Sequence, residues 1–321
     1  MPLKEDLIYA LEKHRGGFVS GEEIAKGKNI TRSAVWKCVN GLKNEGYAIT
    51  SVNNSGYMLM PECDILSAPG IKANLPEEIA DKISVSVFDS IDSTNNEAKR
   101  RIASGLEGEA IFAANEQTAG RGRRGRSFYS PCKSGLYFSV VLRTGLELSD
   151  ATLITTAAAV VTAETLIEVC GCDPRIKWVN DIFVDGKKVC GILTEAVSDF
   201  ESGGVQAVVV GIGINLNTES FPEEIENTAG NAAAGKQLIR NELAAKIFIG
   251  LKSLCEKLPD RSYMSRYREL SNVIGKDVTF ERSGAVIHAR ALDITEDGGL
   301  LCRTPEGEEI LRSGEVSVNL N

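Results

Sequence analysis

The segment Gly120-Arg-Gly-Arg-Arg-Gly-Arg126 puts four guanidinium groups into seven residues, with three glycines between them. Arginine bonds phosphate or carboxylate oxygens in pairs, and glycine lets the backbone fold closely around a ligand, so the chemistry on offer is capture of a polyanion. The spacing contains GxGxxG, but a dinucleotide-binding turn leaves a strand and opens a helix. Here Ser127–Pro131 leads into an apolar strand pattern from Leu136. A Walker A loop is absent. A solvated basic loop touching nucleic acid is the competing reading; the position between two core strands favours a small-molecule site.

Two further clusters follow. Lys177-Trp178-Val179-Asn180-Asp181 and Lys187-Lys188-Val189-Cys190-Gly191-Ile192 read as strand, turn and strand, with Asp185-Gly186 at the tip. Alternation then sends Asn180 and Lys188 to definite faces of paired strands. A lysine beside a turn is ordinarily a surface lysine; the company of Asn, Asp and Gly in one hairpin marks this one. Gly211-Ile212-Gly213-Ile214-Asn215 closes an apolar run, and its two glycines imply close approach by a ligand or another backbone, or a tight strand crossing. The chain has 2 histidines, His14 and His288, so histidine zinc sites and Ser-His triads drop out. Chemistry falls to Lys, Arg, carboxylates and backbone groups, and no protein-held metal site is predicted.

At 321 residues, with 43% hydrophobic and 25% charged, the chain has material for two or three domains and an ordinary packed core. Net charge of −8 argues against an overall basic coat but leaves room for a local basic site. The longest apolar run, Ala151 to Ala163, is bounded by Asp150 and Glu164 and reads as too short to span a membrane. The 8 cysteines are scattered without a CxxC pair or a signal-peptide core, which predicts a reducing, cytoplasmic setting.

The elements that must position these clusters are legible in part. Residues 1–60 read as three helices and a hairpin: Lys4–His14, a helix capped by Ser20 with Glu23 completing a capping box, a helix from Thr31 to near Gly46, then Tyr47–Val52 and Gly56–Met60 around an Asn-Asn-Ser turn. Pro61, Pro69 and Pro76 punctuate a linker. Predicted strands are Ser84–Phe88, Ala110–Ala114, Leu136–Arg143, Arg175–Trp178, Asp181–Val184, Val189–Ala196 and Val205–Asn215. Predicted helices are Thr94–Ser104, with Thr94 and Glu97 at capping-box spacing, Asp150–Cys170 and Asn241–Lys257. The last fifty residues show four short strands, Val278–Glu281, Val286–Ile294, Gly299–Arg303 and Glu308–Ser313, which suggests a small barrel.

In this order and spacing, Ser93-Thr94-Asn95, Gln117 with GRGRRGR, KWVND, KKVCGI and GIGIN resemble the biotin–protein ligase family. With the N-terminal helical unit, the resemblance is to its bifunctional ligase-and-repressor branch. It covers essentially the whole chain. It implies an α+β protein: a winged helix-turn-helix DNA-binding domain over 1–63, a mixed-sheet α/β catalytic domain over 64–270, and an SH3-like barrel over 271–321. It also implies a two-step reaction: biotin and ATP, with Mg2+, give biotinyl-5′-AMP, and a lysine of a biotin carboxyl carrier protein then displaces AMP. Ser93, Thr94, Asn95, Gln117, Gly120, Arg121, Gly122, Arg123, Lys188 and Gly191 would meet biotin. Arg123, Arg126, Phe128, Asn180, Gly211 and Asn215 would line the nucleotide side. Arg121, Lys188 and Asp181 would act in catalysis, Asp181 on the incoming amine. Family members often carry Trp where this chain has Phe128, which can still stack on adenine.

Thr31-Arg32-Ser33-Ala34-Val35-Trp36-Lys37 opens the third helix after a short turn, the geometry of a recognition helix, and Thr31, Arg32, Ser33, Trp36 and Lys37 are the candidate DNA contacts. Residues 1–60 carry eight Lys/Arg against six acids, a mild positive balance in an acidic chain. A winged helix that binds protein instead is the alternative. One such unit binds weakly, so repression implies a homodimer on two-fold operator DNA, which by resemblance forms when the adenylate is bound. Two other functions remain open: a transcription factor whose core only senses biotin, and a lipoate or octanoate ligase on the same core.

Overall fold

The computed structural model describes residues 3–143, 151–198 and 205–318. The N-terminal unit comprises α1 (Leu3–Lys13), α2 (Gly21–Lys28), α3 (Arg32–Asn44), β1 (Ile49–Val52) and β2 (Gly56–Leu59). Ser20 accepts from Glu23 N and Thr31 from Ala34 N, so each satisfies an amide that the first helical turn leaves open. Leu7, Ile8, Leu11, Val35, Val39, Leu42 and Leu59 close a small separate core. The hairpin β1–β2 projects from it as the wing, in register Ile49 with Leu59.

The central domain is a seven-stranded sheet in the order β3-β4-β5-β9-β8-β7-β6. Its strands are β3 (Ser84–Phe88), β4 (Ala110–Ala114), β5 (Gly135–Leu142), β6 (Arg175–Lys177), β7 (Asp181–Val184), β8 (Lys187–Ser198) and β9 (Val205–Asn215). The β3–β4 pair is parallel and the rest are antiparallel. One face carries Val140, Leu142, Val208, Val210, Ile212 and Ile214 into the main core. That core is roofed by α7 (Ala151–Cys170), α8 (Arg240–Glu256) and α9 (Met264–Leu270). On the other face, α6 (Thr94–Ala103) covers only one end, with Ala98 and Ile102 against Phe112, Val141, Ala207 and Val209. The uncovered part of that face is where the cleft lies.

Two stretches differ from the sequence expectation. The proline-marked linker contains α4 (Ala68–Ala73) and α5 (Glu77–Ala80), because Ser67 caps α4 and Pro69 occupies its first turn, where a missing N–H costs nothing. The apolar run does not stop at Ala163. Helix α7 runs to Cys170 as the predicted helix does, so it is long and apolar enough to cross a membrane, yet 78% of its apolar window is buried inside the protein. It is the central core helix, and Glu164 is exposed at its surface. Asp150 lies outside the described residues. The short α9 was not foreseen either. Ser93, not Thr94, is the cap of α6. All eight cysteines are free thiols.

The C-terminal domain is a five-stranded antiparallel sheet in the order β13-β12-β11-β10-β14. It is built from β10 (Asp277–Arg282), β11 (Ala285–Ile294), β12 (Leu300–Thr304), β13 (Gly307–Leu311) and the unforeseen β14 (Val316–Val318). It shares the main core with the central domain through Val278, Ala291, Ile294, Leu300 and Cys302. Trp178 of the KWVND cluster is buried and donates from Nε1 to Gly298 O at 2.9 Å, tying the turn before β7 to this domain.

Candidate active site and DNA-facing helix

The cleft floor is the uncovered face of β5, β9 and β8. Pleating puts Tyr137, Ser139, Gly211, Gly213, Gly191, Leu193 and Glu195 on this face, in register Ser139 with Gly211 and Gly213 with Gly191, and of these Gly191, Leu193, Gly211 and Gly213 line the cleft. The glycines are explained by this chain's own side chains. A Cβ at Gly211 would stand 2.1 Å from Asn95 Oδ1, and one at Gly213 would stand 2.6 Å from the Phe128 ring. The close approach therefore belongs to Asn95 and Phe128, neither to a foreign backbone nor to a strand crossing. Phe128 is half-buried and meets Tyr137 edge to face.

The arginine–glycine loop folds back as a narrow hairpin over this floor. Phe128 N donates to Gly120 O and Gly122 N to Arg126 O, with Arg124 (φ 54°) and Gly125 (φ 76°) left-handed at the tip. Arg124 carries strain that a glycine there would lack. Two of the loop's four arginines meet carboxylates, and a third meets neutral acceptors. Arg121 Nη1 donates to Glu195 Oε2 at 2.9 Å, and Arg126 pairs with Glu315 at 2.6 Å. Arg123 donates to Asn180 Oδ1 at 3.2 Å and to Gly314 O at 3.1 Å. Burial pulls the Arg123 guanidinium below its ordinary range, with Asp181 opposing.

One end of the cleft is neutral and hydrogen-bonding. Ser93, Thr94 and Asn95 are buried at the start of α6. Gln117 Oε1 accepts from Thr94 N at 2.9 Å and lies 3.1 Å from Thr94 Oγ1, while its Nε2 donates to Ser130. Ser139 Oγ sits 2.7 Å from Thr94 Oγ1 and 2.5 Å from Asn95 Oδ1. The other end is cationic. Lys188 Nζ lies 2.7 Å from Asp181 Oδ1, and Asn180 Nδ2 donates to the same oxygen at 3.0 Å and to Ile192 O. Lys188 itself is pinned by backbone bonds to Thr228 and Gly230. Arg123, Asn180, Asp181 and Lys188 thus form one connected row.

Of the residues singled out from the sequence, Ser93, Thr94, Asn95, Gln117, Arg121, Gly122, Arg123, Arg126, Phe128, Asn180, Asp181, Lys188, Gly191 and Gly211 line one cleft enclosing about 100 Å3. Gly120 does not line it; its Cα faces the Phe128 carbonyl, where a Cβ would come within 2.4 Å. Asn215 continues the floor strand past Gly213 but does not line the cleft, and among the described residues its buried Oδ1 has no partner. Asn180 sits in the turn before β7 rather than on a strand, and a register shift in the β7–β8 ladder lies beside Lys188. Glu195, Ser139, Gly314 and Glu315 were missed. A glutamate and a serine inside apolar strands were visible signals for the first two. Nothing near Gly314 in the chain announces a contact with a loop about 190 residues away.

In the N-terminal unit, α3 buries Val35, Val39 and Leu42 and presents Thr31, Arg32, Ser33, Trp36 and Lys37 outward. Trp36 is 57% exposed, unusual for its size, and Arg32 is held by Glu22 at 3.1 Å.

Comparison with known proteins agrees with this layout. Residues 87–215 match the model of the biotin/lipoate A/B protein ligase family, residues 4–58 an HTH domain, and residues 273–318 the biotin protein ligase C terminal domain. The bifunctional ligase/repressor BirA of Bacillus subtilis is 30% identical over 98% of both chains. The biotin–[acetyl-CoA-carboxylase] ligase of Paracoccus denitrificans is 31% identical over 70% of this chain and 96% of its own. Among solved structures, the biotin protein ligase from Aquifex aeolicus in complex with biotin and ATP superposes with TM-score 0.63 at 28% identity. That match covers 74% of this chain and 99% of that one.

Proposed function

The chain belongs to the family of bifunctional biotin–protein ligases and repressors, and from that premise we propose how its residues divide the work. It is an AMP-forming ligase that takes biotin and ATP and acts on a carboxylase carrier domain, with an HTH unit for DNA. The observation that carries the assignment of roles is the polarity of one cleft, neutral hydrogen-bonding groups at Thr94 and Gln117 and cations at Arg121, Arg123 and Lys188.

The ureido ring of biotin suits the Ser93, Thr94, Asn95 and Gln117 end, because an analogue lacking its N–H and C=O would leave those buried groups unpaired. The carboxylate then points at Lys188 and the arginines. In the first step a carboxylate oxygen attacks the α-phosphorus and the bond to pyrophosphate breaks. Both reactants are anions, so the barrier falls when fixed cations hold them in line; no proton moves and no acid–base residue is required. Phe128, Arg126 and Asn180 take the nucleotide side; Gly211, packed against Asn95, and Asn215, outside the cleft lining, shape the floor behind it. In the second step a carrier lysine attacks the acyl carbon, AMP leaves, and the amine sheds a proton. Asp181, 2.7 Å from Lys188, stands where it can orient that amine or take the proton. Among the described residues no group of three or more metal-ligating side chains gathers. Magnesium fits nonetheless: it commonly keeps water and phosphate ligands with one or two carboxylates, and Asp181 and Glu315 line the cleft. Bound with the triphosphate, it supplies charge neutralisation.

On the same reading, domains 1–63, 64–270 and 271–321 bind DNA, catalyse, and brace the cleft. The adenylate-bound chain pairs on two-fold operator DNA through Thr31, Arg32, Ser33, Trp36 and Lys37. Equal sedimentation with and without biotin and ATP would remove the ligand-dependent dimer. Mass spectrometry of product from ATP, Mg2+ and either biotin, lipoate or octanoate tests the chemistry. Biotinyl-AMP alone is expected; biotin binding without adenylate would make the core a sensor, and another acyl-AMP would reassign the pocket.

A further inference from the structure

One charged group beside the cleft has no part in the scheme above. Glu195 on β8 lies on the floor row with Gly191 and Leu193, opposite Val209 of β9. We propose that Glu195 is a positioning residue that aims Arg121 at the anionic part of the substrates, a role that rests on reading the cleft as the site of biotin adenylation.

The geometry separates what holds Arg121 from what it faces. Glu195 Oε2 receives Arg121 Nη1 and Asn95 Nδ2, each at 2.9 Å, and Oε1 receives Lys99 Nζ at 3.0 Å. The same Arg121 Nη1 reaches Asn96 Oδ1 at 3.1 Å. Arg121 lines the cleft, whereas Glu195, Asn96 and Lys99 do not. One corner of the guanidinium is therefore tied down behind, and among the described residues no protein acceptor meets its Nε or Nη2. That free edge is the one arginine uses to grip a phosphate or carboxylate in two parallel bonds.

An arginine on a glycine-rich loop otherwise loses much side-chain freedom when it closes on a ligand. Holding it in advance removes that cost from the binding step and supplies an oriented cation. Lys99 completes the device. Glu195 alone would cancel the charge of Arg121, but Lys99 takes the second carboxylate oxygen, so the three groups together remain one charge positive toward an incoming anion. The carboxylate is kept ionised: burial pushes Glu195 upward, and the hydrogen bonds from Asn95 and Lys99 with the charges of Lys99 and Arg121 outweigh it.

The test is a double-mutant cycle on the full chain, with adenylation read as pyrophosphate release from biotin and ATP with Mg2+. Glu195→Gln is expected to lower kcat/KM about tenfold in the wild-type background and less than about twofold in Arg121→Ala, because its effect passes through that arginine. Lys99→Ala should change kcat/KM less than about threefold, and Glu195→Asp should recover part of the loss. Equal fold-losses with and without Arg121 would overturn the proposal and leave Glu195 as a brace between α6 and β8. If Glu195→Gln does not fold, Glu195→Asp runs the same cycle with the same two outcomes. A wild-type chain that makes no biotinyl-AMP removes the adenylation reading and this proposal with it; an active wild type with an additive cycle removes this proposal alone.

Discussion

Gly211 and Gly213 owe their identity to two neighbouring side chains, so each has its own expected failure. Gly211→Ala puts a methyl where Asn95 Oδ1 sits, and Gly213→Ala puts one against the Phe128 ring. Overpacking of this kind costs about 1–3 kcal/mol. Urea unfolding should find Gly211→Ala the more damaging, since Asn95 is buried and bonded to Leu193 O and Glu195, whereas a half-buried ring can tilt away. Gly213→Ala should show mainly in the KM for ATP, with the KM for biotin little changed. Two carboxylates give opposite pH signatures. Burial raises Glu12 above the ordinary glutamate value, with Arg15 and Asn241 opposing, while Glu195 is lowered. Native Glu12 holds its proton more tightly than the unfolded chain does. Its contribution is thus full below about pH 4.5 and is lost as pH rises through the native value. Glu195 contributes above the unfolded value and loses that contribution as pH falls through its depressed one. Urea midpoints against pH should therefore show wild type losing ground to Glu12→Gln as pH rises above about 4.5, and losing ground to Glu195→Gln only as pH falls below about 4.5. The same direction for both would contradict these environments.

Helix α3 shows how one element serves packing and recognition with different faces. Leu42 lies on the buried side with Val35 and Val39, and truncation to Ala should cost about 2–5 kcal/mol in the unfolding of the N-terminal unit. Trp36 lies on the outer side, and Trp36→Ala should leave stability within about 0.5 kcal/mol. Biotinyl-AMP formation should be untouched, while binding to duplex DNA selected by the wild-type chain from a random pool should weaken. Undiminished DNA binding would place the interface elsewhere. The elements were readable where a local rule decides: the cap at Ser20, the apolar run along β9, turn chemistry at Asp185-Gly186, both left-handed in the structure. They were not readable where tertiary packing decides. The prolines at 69 and 76 begin short helices instead of breaking chain, and α9 has only seven residues, two turns held by burial of Met264, Tyr267 and Leu270. The cleft was legible as motifs, because its loop, hairpin and glycine strand each carry a composition signal. Its counter-charges Glu195 and Glu315 were not, since an ordinary glutamate gains its role only from what the fold brings beside it.

The three domains meet at places that tie the cleft to both ends of the chain, and Arg240-Asn241 at the start of α8 is the tightest of them. Asn241 is fully buried. Its Nδ2 donates to Glu12 Oε1 of α1 and to Ile65 O, each at 2.9 Å, and its Oδ1 accepts from Ser67 N at 3.0 Å. Gly70 is needed there, since a Cβ would stand 2.2 Å from Asn241 Nδ2. Arg240 grips Asp64 through Nε at 2.8 Å and donates to Asn115 Oδ1 and Gly135 O, which stand at the two ends of the segment carrying the arginine–glycine loop. Adjacent residues thus hold different parts. Asn241→Ala leaves Glu12 and two backbone groups short of partners, a loss of about 1–3 kcal/mol confined to the seam between α1 and α4. The expected outcome is about a tenfold or greater rise in hydrogen exchange over residues 60–70, with protection in β5 and β9 and the rate of adenylate formation unchanged. Arg240→Lys keeps the charge but loses the fork that reaches both loop ends. It should raise the KM for both substrates, because the loop base loosens while its own arginines remain. If the two variants instead loosened the same amides and slowed adenylation alike, Arg240 and Asn241 would be one rigid joint, and the DNA-binding unit and the cleft would be coupled through it.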